Sequence, residues 1–148
     1  MFADAKDIFV GVGAQADALE VDAMLAECFV CLEDGESALA LSTEALTGIE
    51  ALGGASIATS LLQRVRGYAF TQLGRFDEAH DAFEASIRDA RERGVDHEIA
   101  LTLLAAVRLA RLRREEIPEG IQEEADAILG RLGIVSLPAP PTRRRGSS

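Results

Sequence analysis

Tryptophan is absent from the sequence, and tyrosine and lysine occur once each, at Tyr68 and Lys6. Cysteine occurs twice, at Cys28 and Cys31, too few for a disulfide framework. Proline occurs four times, and all but Pro118 lie beyond residue 137, so almost nothing interrupts a helix before that point. No apolar run reaches the roughly 18 residues of a membrane span. The start, MFADAKDIF, lacks the basic-then-apolar layout of a secretory signal. β-branched residues are scattered and show no run of alternation. These absences argue against a disulfide-stapled, membrane-spanning or sheet-built protein. They leave a reducing, cytoplasmic setting, with no membrane partner, as the expectation.

What remains is rich in Ala and Leu. The chain has 148 residues, 48% of them hydrophobic, enough for one domain with a real core. That composition suits packed helices. One Lys against fourteen Arg reads as codon bias of a GC-rich genome. The net charge of −10 is unevenly placed: residues 1–63 hold eleven acids and Lys6 alone, whereas 64–148 hold fourteen acids and fourteen Arg. An acidic front half repels phosphate backbones, so nucleic acid is not an expected partner. Most of these acids are expected on solvated helix faces.

One stretch organises the rest. GYAFTQLGRFDEAHDAFEAS, residues 67–86, reads as a helix ending near Gly74, a tight turn, and a second helix from Phe76. Small residues at Gly67, Ala79 and Ser86 allow close approach, and Phe70, Phe76 and Phe83 fill the space between. Sliding the chain by 41 residues places Ala26 on Gly67, Phe29 on Phe70, Leu32 on Leu73, Ala38 on Ala79, Ala45 on Ser86, Leu46 on Ile87 and Gly53 on Gly94. A weaker third copy runs from about Asp96 to Gly133. Gly53, Gly94 and Gly133 are each placed to end a helix in the left-handed conformation.

The spacing of Gly67, Phe70, Gly74, Phe76, Ala79, Phe83 and Ser86 resembles the signature of tetratricopeptide (TPR) repeats. A unit of this kind cannot bury its apolar face alone, and so it stacks. The resemblance implies an all-α fold, an α-solenoid of antiparallel helix pairs with about seven helices. The units fall at about 14–53, 54–94 and 95–133, preceded by a lone helix at 2–12 that takes the place of a preceding unit's second helix. A Pro- and Arg-rich tail, 134–148, follows and is expected to be disordered.

The paired helices are expected at 16–32 and 36–52, 56–73 and 76–93, and 96–113 and 119–132. Asp96 is a candidate N-cap and Pro118 suits the first turn of the last helix. The resemblance further implies that the first helix of each unit lines a concave groove holding a peptide or a partner helix. Carried over by position, that face comprises Glu20, Ala23, Glu27, Val30 and Cys31, then Leu61, Arg64, Tyr68, Thr71 and Gln72, then Arg108 and Arg111. Of these, Glu20, Glu27, Arg64, Tyr68, Thr71, Gln72, Arg108 and Arg111 are the candidate partner-binding residues. Tyr and Arg are the types most often found as binding hot spots.

In style the chain is also similar to the C-terminal helical arrays of large bacterial signalling proteins that carry a nucleotide cyclase or regulatory ATPase module. That similarity implies a second reading, a sensor or oligomerisation fragment whose partner is another copy or another domain of the same protein.

No catalytic constellation stands out, and no enzyme activity, cofactor or metal is expected. Cys28-Phe29-Val30-Cys31 is a CxxC, but it falls near a helix C-terminus, where the dipole disfavours a thiolate. A zinc site would need two more ligands, and His80 and His97 are far along the chain. Both cysteines are expected as small core residues. Gly11-Val12-Gly13-Ala14-Gln15-Ala16 matches G-x-G-x-x-A, yet no strand precedes or follows it, so a dinucleotide site is not expected. Arg143-Arg144-Arg145 carries three charges, a number that gives only weak, salt-sensitive binding.

Overall fold

A computed structural model describes residues 14–54, 56, 58–133 and 141, with side chains from residue 21 onward. The expected lone helix at 2–12, and the tail apart from Pro141, lie outside the described residues. Among the described residues the protein is all-α, with six helices and no strand: α1 (Ala14–Cys31), α2 (Gly35–Ala51), α3 (Thr59–Gln72), α4 (Phe76–Arg93), α5 (Asp96–Leu112) and α6 (Ile121–Arg131). No helix among these residues is long and apolar enough to cross a membrane.

The ends of the helices follow a rhythm. Residues with left-handed φ stand at Glu33 (61°), Gly53 (107°), Gly74 (76°), Gly94 (69°), Arg114 (58°) and Gly133 (74°), one just past each helix. At the first five the same pair of hydrogen bonds closes the helix. At Gly94, its amide donates to Arg91 O at 3.3 Å and the Val95 amide donates to Ala90 O at 2.9 Å. At Glu33, its amide donates to Val30 O at 3.0 Å and the Asp34 amide to Phe29 O at 2.8 Å. This is the Schellman closure, which satisfies carbonyls that the helix would otherwise leave open. Gly53, Gly94 and Gly133 therefore stop helices as their positions suggested, while Glu33 and Arg114 do the same work without being glycine. At the other end of α2, the Ser37 amide donates to Asp34 Oδ1 at 3.1 Å, an N-cap.

Two local expectations need correction. The residue capping α5 is Val95, with no side-chain bond, and Asp96 is already helical. Asp96 instead meets Arg131 at 3.5 Å, across to the end of α6. The last helix starts at Ile121 after Gly120, whose φ is 89°, so Pro118 sits ahead of the helix in the turn.

The helices form two rows. α1, α3 and α5 touch one another in order, and each following helix packs back against its neighbours: α2 on α1 and α3, α4 on α3 and α5, α6 on α5. The second-row helices α2, α4 and α6 make no such contact with each other. The tightest junction is α3 on α4. A Cβ added to Gly67 would lie 2.4 Å from Phe83 Cε1, and Phe83 is fully buried. Tyr68 meets the same ring edge-on, with centroids 5.5 Å apart. Ala79 and Ser86 are buried too, and Ser86 Oγ bonds Ser60 O at 2.8 Å and Thr102 Oγ1 at 2.9 Å, pinning α3, α4 and α5 together. Around this junction lies the main core of Val30, Val65, Phe70, Phe83 and Leu109.

Because the Phe83 ring occupies the space a methyl would need, Gly67→Ala is expected to destabilise by about 1–3 kcal/mol, the usual cost of overpacking. Urea denaturation will measure it, and Phe83→Leu in the same chain should return part of the loss. Glu33→Gly and Arg114→Gly are expected to raise stability by about 0.5–1 kcal/mol each, since glycine takes a left-handed φ without a Cβ penalty. Thermal unfolding should show this as a rise of roughly 2–4 °C per kcal/mol.

Candidate functional site

Helical spacing puts Arg64, Tyr68 and Thr71 on one face of α3, and that face meets both first-row neighbours. Arg64 donates from Nε to Glu98 Oε2 at 3.0 Å and from Nη2 to Glu98 Oε1 at 3.2 Å, a two-pronged pair with α5. The same Nη2 lies 3.5 Å from Glu27 Oε2 on α1. One guanidinium thus ties three helices. Its Cζ stands 5.9 Å from the centroid of the Tyr68 ring, within cation–π range. His97 adds a weak edge contact, Nε2 to Glu98 Oε1 at 3.5 Å.

Arg64 and Glu98 are each only 6% exposed, so the cluster sits in low dielectric. Burial alone works against the Arg64 charge. The attraction and hydrogen bonds of Glu98 outweigh it, with smaller contributions from Tyr68 and Glu27, and hold the guanidinium pKa above its ordinary value. Arg64 therefore stays charged at every accessible pH. With its Nε and Nη2 donors engaged, it does not resemble a cation waiting for a phosphate or carboxylate ligand.

The eight candidate residues divide accordingly. The structure brings Glu27, Arg64 and Tyr68 together. Tyr68 and Thr71 are buried, like Arg64, and Thr71 Oγ1 donates to Gly67 O at 2.8 Å on its own helix. Gln72 is half-buried and its Nε2 donates to Val30 O at 2.9 Å and to Pro141 O at 2.8 Å. Arg108 is half-buried and Arg111 is exposed, both on α5. The side chain of Glu20 lies outside the described residues. Ala23 and Val30, counted on the same face from the spacing, are buried in the core instead. Cys28 and Cys31 are the reverse case. Both are free and exposed: Cys28 projects from the side of α1 opposite Ala23, Ala26 and Val30, and Cys31 is the last residue of the helix, on its flank. The expectation of core cysteines is corrected.

Glu98 was not among the candidates. Its signal was present: residues 98, 102, 105 and 109 share a helical face, and the other three are Thr102, Ala105 and Leu109, all buried. An acid on a core face needs a cation, and Arg64 supplies it.

Two of the open depressions along the second row are related in sequence. One, about 790 Å³, lies along α2 and is lined by Glu36, Leu39, Thr43, Arg66, Phe70 and Arg75 among others. The other, about 380 Å³, is lined in part by Asp77, His80, Glu84 and Val107. A 41-residue shift carries Glu36, Leu39, Thr43 and Arg66 onto those four positions, so the two depressions are lined in part from corresponding positions of the sequence. In the first, Phe70 is flanked by the guanidinium carbons of Arg66 at 5.1 Å and Arg75 at 4.8 Å. Among the described residues no group of three or more His, Cys, Asp or Glu is arranged to hold a metal ion. Comparison with protein-family models, with curated proteins and with solved structures gave no match.

Removing one partner of the buried pair leaves the other charge stranded. Arg64→Met is expected to cost about 3–5 kcal/mol, whereas the double change Arg64→Met with Glu98→Leu should recover most of that. Glu27→Gln should cost less than about 1 kcal/mol, because Glu27 is half-exposed. Denaturation of the three variants checks all three values.

Proposed function

We propose that this chain is a TPR-like α-solenoid acting as a non-catalytic protein–protein interaction scaffold, with a partner peptide or helix laid along the first row, α1, α3 and α5. The observation that carries this reading is the recurrence of the same helix closure at 33, 53, 74, 94 and 114. Evenly spaced stops divide the chain into helices of similar length, and helix pairs of that kind stack by repetition. The mutual contact of the first-row helices supports it as well. On this reading Arg64 and Tyr68 are the floor that sets the row's geometry. Direct contacts with a partner fall to Glu27 at one end and to Arg108 and Arg111 at the other.

A second reading, an oligomerisation or sensor part of a bacterial cyclase- or ATPase-type regulator, draws support from a different place. Val21 and Met24 are exposed on α1 and Leu32 just past its end, with Met24 at 62% and Leu32 at 73%. Apolar residues clustered on one helix face favour a chain-to-chain contact.

One experiment separates the readings. The full chain, as wild type, Arg108→Glu/Arg111→Glu and Met24→Glu, is used to capture binding proteins, with light scattering on each. Under the scaffold reading the wild type is a monomer, and its partner is lost with the arginine double change but kept with Met24→Glu. A self-associated wild type that Met24→Glu turns into a monomer would replace it with the second reading.

A further inference from the structure

Sulfur is scarce in this chain and is not scattered. Beyond Met1 the sulfur-bearing residues are Met24, Cys28 and Cys31, all in the second half of α1. At 3.6 residues per turn, spacings of four and then three keep these positions within an arc of about 60°. All three side chains are exposed, Met24 at 62%, and both cysteines are free thiols. Ala23, Ala26 and Val30 take up the buried side of the helix. Packing into the core therefore does not account for the sulfur face.

The spacing decides which chemistry the two thiols can share. Side chains three or four apart on a helix have Cβ atoms about 5–6 Å apart. A disulfide draws its Cβ atoms to about 3.8 Å, so closing one here would distort the last turn of α1. A bridging metal ion asks for more room. Two thiolate bonds of about 2.3 Å to one ion hold the sulfurs about 4–4.6 Å apart, from trigonal to linear angles. Helical side chains also lean towards the N-terminus, which brings Cys31 back over the turn that carries Cys28. Met24 is unbranched with three rotatable bonds, long enough to turn its thioether onto the same point.

The donor set selects the ion. Two thiolates and a thioether are soft ligands, and soft ligands favour Cu(I). Zinc in a closed site takes four ligands, and the two histidines, His80 and His97, belong to α4 and α5. Calcium and magnesium require oxygen donors. The last turn of α1 contains no basic residue, so no cation of its own competes at this end, where the helix dipole favours positive charge.

We propose that Met24, Cys28 and Cys31 form a three-sulfur site for a single Cu(I) ion on the outer face of α1. The ion replaces the two thiol protons, which pass to solvent, and it stays Cu(I) throughout. An ion held on one exposed face of one helix is open to a competing ligand, which suits uptake and transfer rather than a structural role. The site lies within a single helix and rests on neither functional reading above.

The test is a competition titration of the fully reduced full chain against the coloured Cu(I)–bicinchoninate complex under nitrogen. The wild type is expected to withdraw one Cu(I) per chain, with X-ray absorption at the copper edge showing a shell of sulfur only. Cys28→Ser and Cys31→Ser should each weaken binding by more than about 100-fold, beyond the loss typical of supporting groups. Met24→Leu keeps size and apolarity and should weaken it by about tenfold. Circular dichroism checks that each variant keeps its helices. No withdrawal by the wild type would overturn the proposal, as would undiminished binding by either serine variant. Undiminished binding by Met24→Leu would overturn the three-sulfur site. One Cu(I) shared by a dimer would move the ion to an interface and overturn the single-helix site.

Discussion

The approach of α3 to α4 at Gly67 sets the terms for the rest of the molecule. The Phe83 ring fills the volume where any other residue would place a Cβ, so the two helices meet closely enough for one aromatic to serve both. Tyr68 meets that ring in an edge-to-face contact, and Ser86 reaches across to α3 and α5. With α4 drawn in on one side and α1, α2 and α5 packed on the others, α3 has nearly no solvent face left.

The buried ion cluster follows from that enclosure. An arginine in the middle of a surrounded helix cannot keep its hydration, so it must find carboxylates or be replaced. Glu98 approaches from α5 and Glu27 from α1, and the pair with Glu98 has the parallel two-bond geometry that makes arginine suited to burial. Such a pair contributes less to net stability than to choice of arrangement. It rewards only the register in which α1, α3 and α5 are in line.

The helical content was legible because it rests on local rules. Ala- and Leu-rich runs at 3.6 spacing, and Gly53, Gly74 and Gly94 behind them, delimit helices to within a few residues. The helix ends near 32 and 113 were legible too, but the left-handed φ of Glu33 and Arg114 was not, since nothing in their chemistry announces it. The candidate site was legible only in part. Spacing puts Arg64, Tyr68 and Thr71 on one face, but it cannot say that two further helices will cover that face. Glu98 could have been found from its core-facing register, and was hidden by its place in a first turn, where an acid has a helix-dipole reason to be. The cysteines went astray for the opposite reason. Their residue type favours burial, and the rotation of α1 set by Ala23, Ala26 and Val30 overrides it.

The unequal contact within the two rows has a mechanical side. First-row helices touch their neighbours, with Arg64 as a cross-tie, while second-row helices stand apart with open depressions between them. Bending such an assembly keeps the first row at nearly constant length and takes up the strain by widening or narrowing the gaps behind it. The first row is then the neutral axis, and the second row works like the pleats of a bellows. On the solenoid reading proposed above, curvature is the soft coordinate of the molecule, and side chains in the pleats, such as Phe70 between its two arginines, set its resting value.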